Sequence, residues 1–319
     1  MDVPKHIPVL VTEVLSHLVE RPEQTLVATT RGAGSAQSPE RLFIDGTVGQ
    51  GGHAEAILSH AGPGCRILGF DRDSANLAIA KRRLERFGKA VTLVEDSYAN
   101  VKAHAYALGF DQVDGILLDL GFSSAHIDDP ERGFSFAHEG PLDMRYDRSG
   151  DLTAEGILNG WSVEDLSRIF RVYGEESASL QIAKVVYAAR KKVRITTTTQ
   201  FADLVETVVH RRGKTHPATK VFQALRIAVN DELGQFERVL PDMVDLLKPA
   251  KGTEPVERGG RIAIISFHSL EDRIAKHYFS EQNGVSLNVI TKRPVGPSDE
   301  EVHSNPRSRS AKLRVAEKI

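Results

Sequence analysis

Leu42-Phe-Ile-Asp45-Gly-Thr-Val-Gly49-Gln-Gly51-Gly52-His53 decides how the rest of the chain is read. A short apolar run ends in a carboxylate, glycines follow at 46, 49, 51 and 52, and a stretch of helical character begins at His53. Strand, glycine-rich turn and helix in that order open a parallel α/β sheet. Glycine admits positive φ and lets a ligand come close to the backbone. The helix N-terminus behind it favours a negatively charged group. The carboxylate of a methionine moiety suits such a turn as well as a pyrophosphate does, so the turn alone does not choose the ligand.

Working outward, apolar runs at 42–44, 67–70, 91–94, 115–118 and 261–266 read as buried strands. Helical spacing is expected at 53–60 and 74–87, which gives strand–helix–strand alternation and a sheet covered on both faces. The alternation stops after Leu120. From about His126 to Thr219 the chain reads as loops and amphipathic helices (163–173, 176–191, 199–210), then resumes with one long helix over 218–247. The expected fold is α/β, a Rossmann-like sheet in two parts, 1–125 and 218–319, with a helical substrate domain inserted at 126–217. The last segment, 312–319, alternates enough to be a final edge strand. The stretches 21–40 and 250–258 read as surface loops without a catalytic role.

Composition excludes several classes. The 319 residues are 40% hydrophobic and 26% charged, ordinary for a soluble globular protein. No apolar run is long enough to span a membrane, and MDVPKHIPVL lacks a signal-peptide pattern, so a cytoplasmic protein with no membrane partner is expected. A single cysteine, Cys65, leaves no internal disulfide, and no Cys/His cluster has metal-binding spacing. The net charge of −2 is unevenly spread: eight Lys/Arg fall between Tyr187 and Lys220 against Asp203 and Glu206. Such a patch attracts phosphate whatever the global charge.

Carboxylates follow four successive strands, at Asp45, Asp71, Asp96 and Asp119. One at the end of the second strand can accept hydrogen bonds from ribose hydroxyls. Asp45 can hold the ammonium of a methionine. A dinucleotide-binding dehydrogenase is the rival reading, since Gly49-Gln-Gly51-Gly-His-Ala54 matches a loose G-x-G-x-x-A. Nothing later in the chain suggests a hydride-transfer site.

Several further stretches, in order, are more specific. Asp45–His53, Gly115-Ile-Leu-Leu-Asp-Leu-Gly-Phe-Ser-Ser124, Arg132-Gly-Phe-Ser-Phe136, Gly140-Pro-Leu-Asp-Met-Arg145, His216-Pro-Ala-Thr-Lys-Val-Phe-Gln-Ala-Leu-Arg226, Ser266-Phe-His-Ser-Leu-Glu-Asp-Arg273 and Asn305–Arg314 resemble the bacterial 16S rRNA (cytosine-N4)-methyltransferase family over nearly the whole chain. The resemblance implies S-adenosyl-L-methionine as cofactor. Its partner would be 16S rRNA within the small ribosomal subunit, methylated at N4 of a cytidine in the decoding centre. It implies cofactor contacts at Gly51, Gly52, His53, Asp71 and Asp119. It extends them to Tyr98, where relatives often have Phe, and His126, where relatives can have Gln. A homodimer is compatible with the sequence.

Methyl transfer to an amine is an in-line displacement that needs the reacting atoms about 3–3.5 Å apart. Cytosine N4 is a weak nucleophile, because its lone pair is delocalised into the ring. Acceptors that hold its N–H groups make it more tetrahedral, and Asp119, just past the fourth strand, is the expected catalytic residue. Methylation at carbon 5 would typically need a cysteine nucleophile, and Cys65 lies outside every motif. For the substrate, Phe134 and Phe136 are candidates to stack on a base. On the helix from Ala218, Lys220, Gln223 and Asn230 form a polar stripe with Arg226 at its edge. His268, after the fifth strand, points to the same end of the sheet. Two other readings stay open: methylation of a different amine, and a ribosome-assembly factor that keeps the fold without catalysis.

Overall fold

Successive residues of the strand runs bury on opposite sides, which is why they form the middle of a sheet and not a surface ribbon. Phe43, Ile67, Leu117 and Ile265 pack into one apolar layer, and their neighbours Ile44, Leu68, Leu118 and Ile264 into the other. The computed structural model describes residues 7–20, 40–121, 127–210, 216–252 and 258–319. The chain divides into two units, residues 1–121 with 236–319, and residues 122–235. No helix among the described residues is long and apolar enough to cross a membrane.

The first unit holds one seven-stranded sheet. Its strands are β1 (Arg41–Asp45), β2 (Cys65–Asp71), β3 (Val91–Glu95), β4 (Gly115–Asp119), β5 (Arg261–Ser266), β6 (Leu287–Val289) and β7 (Lys312–Lys318), in the order β3-β2-β1-β4-β5-β7-β6. The first five run parallel, and β7 is antiparallel to both of its neighbours. The expected Rossmann-like sheet is therefore present. Its order reverses between β1 and β4, the switch point where ligands of open α/β sheets bind.

Helices α1 (Val11–Val14), α2 (Gly52–Ala61) and α3 (Ser74–Leu84) lie on one side of the sheet, through Val14, Ile57 and Ala80. Helix α4 (Val101–Leu108) lies on the other, through Val101 and Ala105. The second unit is helical: α5 (Ala154–Gly160), α6 (Val163–Val172), α7 (Ser179–Arg190), α8 (Thr198–Glu206) and α9 (Thr219–Asn230) share a core of their own. In chain order α10 (Glu232–Leu246), α11 (Ser269–Gln282) and α12 (Asp299–Ser304) follow.

Three expectations are corrected. The inserted unit ends near Gln235, not at 217. Helix α9 belongs to it because Val221, Phe222 and Leu225 complete that core. The long helix expected over 218–247 is two, since Asp231 sits at φ 48°, ψ 41° and ends α9. Aspartate is among the few residues that adopt this left-handed conformation readily. The strand at 312–318 is interior, because β6 pairs along its outer side. Most of the two surface stretches, at 21–39 and 253–257, lies outside the described residues.

Candidate active site

Register brings three carboxylates together. Asp45 pairs with Gly69 on β2 and with Leu117 on β4. Asp71 and Asp119 therefore each stand two residues further along the flanking strands, at the carboxyl end of the sheet. The backbone N–H of Asp119 donates to Thr47 Oγ1 at 2.6 Å, tying the end of β4 to the turn after β1.

Gly51 holds φ 82° as the N-cap of α2, and Gly52 begins the helix. A side chain on Gly51 would be strained by that φ and would crowd Ala80 Cα and Leu84 at 3.3 Å. Gly46 is equally constrained, since a Cβ there would meet Leu118 Cδ2 at 2.6 Å and Tyr98 Cβ at 3.3 Å. The glycines thus let the turn close onto the sheet. In the first turn of α2, the N–H groups of Gly52, His53 and Ala54 have no carbonyl four residues back to bond within the helix, and they suit a carboxylate.

Asp45 is 1% exposed. Its Oδ1 accepts the Thr47 N–H at 3.1 Å, and its Oδ2 has no hydrogen-bond partner among the described residues. Burial pushes its carboxyl up to about 7. The charges of Asp119 and Asp71 add to that rise, while His53 and the Thr47 N–H oppose it. A buried acceptor with no donor fits an ammonium group, so the site passes this test for the amino-acid end of S-adenosyl-L-methionine.

His53 is 6% exposed. Its Nε2–H donates to Val9 O at 2.8 Å, which leaves Nδ1 facing Asp119 Oδ2 at 3.5 Å. The imidazole thus backs Asp119, and it is the His53 backbone that belongs to the glycine turn. Asp119 Oδ1 also accepts the Gly121 N–H at 3.2 Å. Asp71 accepts from Asp73 N at 2.7 Å and from Asn76 Nδ2 at 3.4 Å, which fixes its rotamer at the strand end. Tyr98 opens a short 3-10 turn after β3 and packs at the edge of the sheet core. Asp96 accepts from Ser97 N, Asn100 Nδ2 and His104 Nε2 at 2.7, 3.0 and 2.9 Å. Burial pushes its carboxyl up, but these bonds outweigh burial and hold it below the usual carboxylate range. His126 lies outside the described residues.

The substrate candidates are mostly occupied with structure. Phe136 packs against Phe222 and His216 at 4.8 and 4.5 Å between ring centroids. Phe134 stacks on Tyr146 at 5.4 Å. Both rings thus anchor their loop to the second unit's core, where they bury more surface than a solvent-facing platform would. Gln223 Nε2 donates to Tyr173 O at 3.0 Å, and Lys220 Nζ to Glu175 O at 3.1 Å. Arg226 is 8% exposed and makes a two-pronged pair with Glu232, both contacts at 2.9 Å. Asn230 is 4% exposed, accepts from Tyr146 N and donates to Met144 O and Arg226 O. The stripe expected to read RNA is a seam that stitches loops to α9. His268 caps α11: its Nδ1 accepts the Glu271 N–H at 3.4 Å, and Glu271 Oε2 accepts the Phe267 N–H at 2.8 Å in return. Nδ1 thus serves as a helix cap, and Nε2 lies 2.8 Å from Glu271 Oε1.

Sequence reasoning missed Thr47 and the carbonyl of Val9. A threonine in a turn and a main-chain oxygen leave no pattern to find.

The sequence profile of the MraW methylase family matches residues 4–319. The chain is 45% identical to "Ribosomal RNA small subunit methyltransferase H" of Maridesulfovibrio salexigens over 304 residues, covering 89% of this chain and 91% of that one. It is 42% identical to the protein of the same name from Dehalococcoides mccartyi, covering 95% and 88%. With the protein so named from Carboxydothermus hydrogenoformans it shares 40% identity, covering 98% of each.

Proposed function

The chain belongs to the MraW methylase family and is an S-adenosyl-L-methionine-dependent methyltransferase, and we propose that it methylates N4 of a cytidine in the decoding centre of 16S ribosomal RNA. The observation that carries the catalytic part is the register that sets Asp45, Asp71 and Asp119 side by side at the switch point, next to the αL glycine at 51. Small-subunit ribosomal RNA as the substrate rests on the name borne by the relatives, and the base and its atom rest on the resemblance of the ordered motifs. Such a reaction belongs in the cytoplasm, on the small ribosomal subunit.

Bound S-adenosyl-L-methionine supplies an electrophilic methyl group on a sulfonium. Asp45 would hold its ammonium, the first turn of α2 its carboxylate, Asp71 its ribose hydroxyls, and Tyr98 a face of its adenine. Asp119 acts on the other reactant. Its carboxylate accepts an N–H of the exocyclic amine, which localises the nitrogen lone pair and orients it. Transfer would break the sulfonium's S–CH3 bond as the N–C bond forms, leave S-adenosylhomocysteine as a neutral thioether, and require that nitrogen to shed one proton. Asp119 takes it, with His53 Nδ1 behind it at 3.5 Å as the next acceptor. The bond from His53 to Val9 O fixes the imidazole in that orientation.

The test is methyl transfer from labelled S-adenosyl-L-methionine to small subunits isolated from cells that lack this protein, followed by nucleoside mass spectrometry. N4-methylcytidine is expected with the wild-type chain and not with Asp119→Ala. Cofactor binding without transfer would point to a different amine. No cofactor binding would point to an assembly factor.

A further inference from the structure

Helix α7 turns toward solvent a face that the catalytic site does not use. Leu180, Lys184, Tyr187 and Lys191 recur at intervals of four, three and four residues, the spacing of one helix face. All four are exposed, Leu180 at 46% and Tyr187 at 37%. The opposite face, with Ile182, Ala183 and Val186, is buried in the core of the second unit, so packing fixes which side faces outward.

This face is chemically one-sided. From Ser177 to Ala202 the chain has no Asp or Glu, against Lys184, Arg190, Lys191, Lys192 and Arg194. Arg194 is paired with Glu155 at 2.6 Å, and Arg190 donates to Leu158 O at 2.7 Å. Lys184, Lys191 and Lys192 form no ion pair among the described residues. Lys191 Nζ lies 4.3 Å from the centre of the Tyr187 ring, and the Arg190 guanidinium 4.9 Å from it. A solvated surface ordinarily mixes charges of both signs and keeps large apolar side chains off it. Here ammonium groups with no ion pair among the described residues stand beside an exposed leucine and an aromatic ring held by two cations.

We propose that this face of α7 docks the sugar-phosphate backbone of ribosomal RNA. Lys184 and Lys192 meet phosphates directly, and Lys191 exchanges the Tyr187 ring for a phosphate, which frees that ring to stack on an unpaired base between them. The proposal rests on the reading of ribosomal RNA as the substrate. Lys184 and Lys191 are seven residues apart, about 10 Å along the helix axis. That separation is wide enough for the two ammonium groups to meet different phosphates of one strand. Lysine suits this task, since a compact ammonium on a flexible stem meets phosphate as a point charge without demanding a fixed geometry. Aromatic stacking tolerates any base, because every base has a π face. Both features give binding that does not read sequence and leave selection of the target to the catalytic site.

The experiment uses the full-length chain and two probes, unmethylated small ribosomal subunits and naked 16S rRNA. Their affinities are measured across a salt series for the wild type, Lys184→Gln/Lys191→Gln/Lys192→Gln, Tyr187→Ala and Tyr187→Phe. The triple variant should bind both probes at least tenfold more weakly. Its slope of log affinity against log salt should be shallower by roughly two to three, since each lost phosphate contact removes about 0.7–0.9. Tyr187→Ala should weaken binding without changing that slope, and Tyr187→Phe should restore it. The cofactor's dissociation constant should stay the same in every variant. An unchanged slope and affinity in the triple variant would overturn the proposal. So would equal, lysine-dependent binding to polyglutamate or to phosphatidylserine vesicles, because the face would then take any polyanion. If the wild type binds subunits in a lysine-dependent way yet methylates none, the docking surface stands and the assignment of the reaction fails.

Discussion

Asp45 shows how a site can be costly before its ligand arrives. Its carboxyl is buried beside two others, and its proton is held up to about 7 against an ordinary 3.8. Between those values the unfolded chain has released a proton that the folded chain keeps, so stability falls as pH rises from about 4 to about 7. Below pH 4 both states are protonated and nothing is lost. The full difference is on the order of 4 kcal/mol. Asp45→Asn should flatten that slope in thermal unfolding of the ligand-free protein. The absolute gain will be smaller, because the new amide leaves an unpaired donor that costs roughly 1–3 kcal/mol. The same variant should bind S-adenosyl-L-methionine at least tenfold more weakly by calorimetry, while wild-type affinity rises from pH 6 to pH 8 as the carboxylate forms. A slope unchanged by the substitution would remove Asp45 as its source. Most of this was legible in the chain, because a carboxylate at a strand end followed by glycines is a pattern. The role of His53 was not: its side chain is aimed by the carbonyl of Val9, 44 residues earlier, and no local spacing encodes that.

Among the elements, α9 separates what periodicity can tell from what it cannot. Its apolar face was readable, and so was the polar face opposite. The partner of that polar face was not, since a stripe of Lys, Gln, Arg and Asn reads the same whether it meets RNA, water or protein. The structure gives it protein: Arg226 and Glu232 are paired with side chains only 10% and 13% exposed. Arg226→Gln should therefore lower the stability of the second unit by about 3 kcal/mol in chemical denaturation, because Glu232 keeps a buried charge with no counterion. Adding Glu232→Gln should recover much of the loss, since the desolvated charge goes with its partner. An Arg226 that contacts RNA and nothing else would leave denaturation unmoved. The helix break at Asp231 was missed for a related reason. Asn230-Asp231 carries no glycine or proline, and a left-handed aspartate shows only in its φ of 48°. Strand β6 was missed because three residues, Leu287–Val289, are too few to display alternation. With β6 unseen, β7 looked like an edge.

At the scale of the whole molecule, the two units divide the chemistry. The first carries the switch point and its carboxylates, and the second carries the acid-free segment, whose lysines form no ion pair among the described residues. A net charge of −2 conceals this, because the excess of acid elsewhere cancels the patch in the sum. Hydrogen exchange on the intact chain separates the two roles. Saturating S-adenosyl-L-methionine should slow exchange at the ends of β1, β2 and β4 and in the first turn of α2, where ligand bonds replace solvent, and leave α7 as it was. A 16S rRNA fragment added without cofactor should slow exchange in the last turns of α7 and through Lys192, and do so less as salt rises. The opposite pattern, with cofactor protecting α7 and none of the strand ends, would be incompatible with the carboxylate row as the cofactor site. It would move the donor, and with it the whole assignment of Asp45, Asp71 and Asp119, away from the switch point.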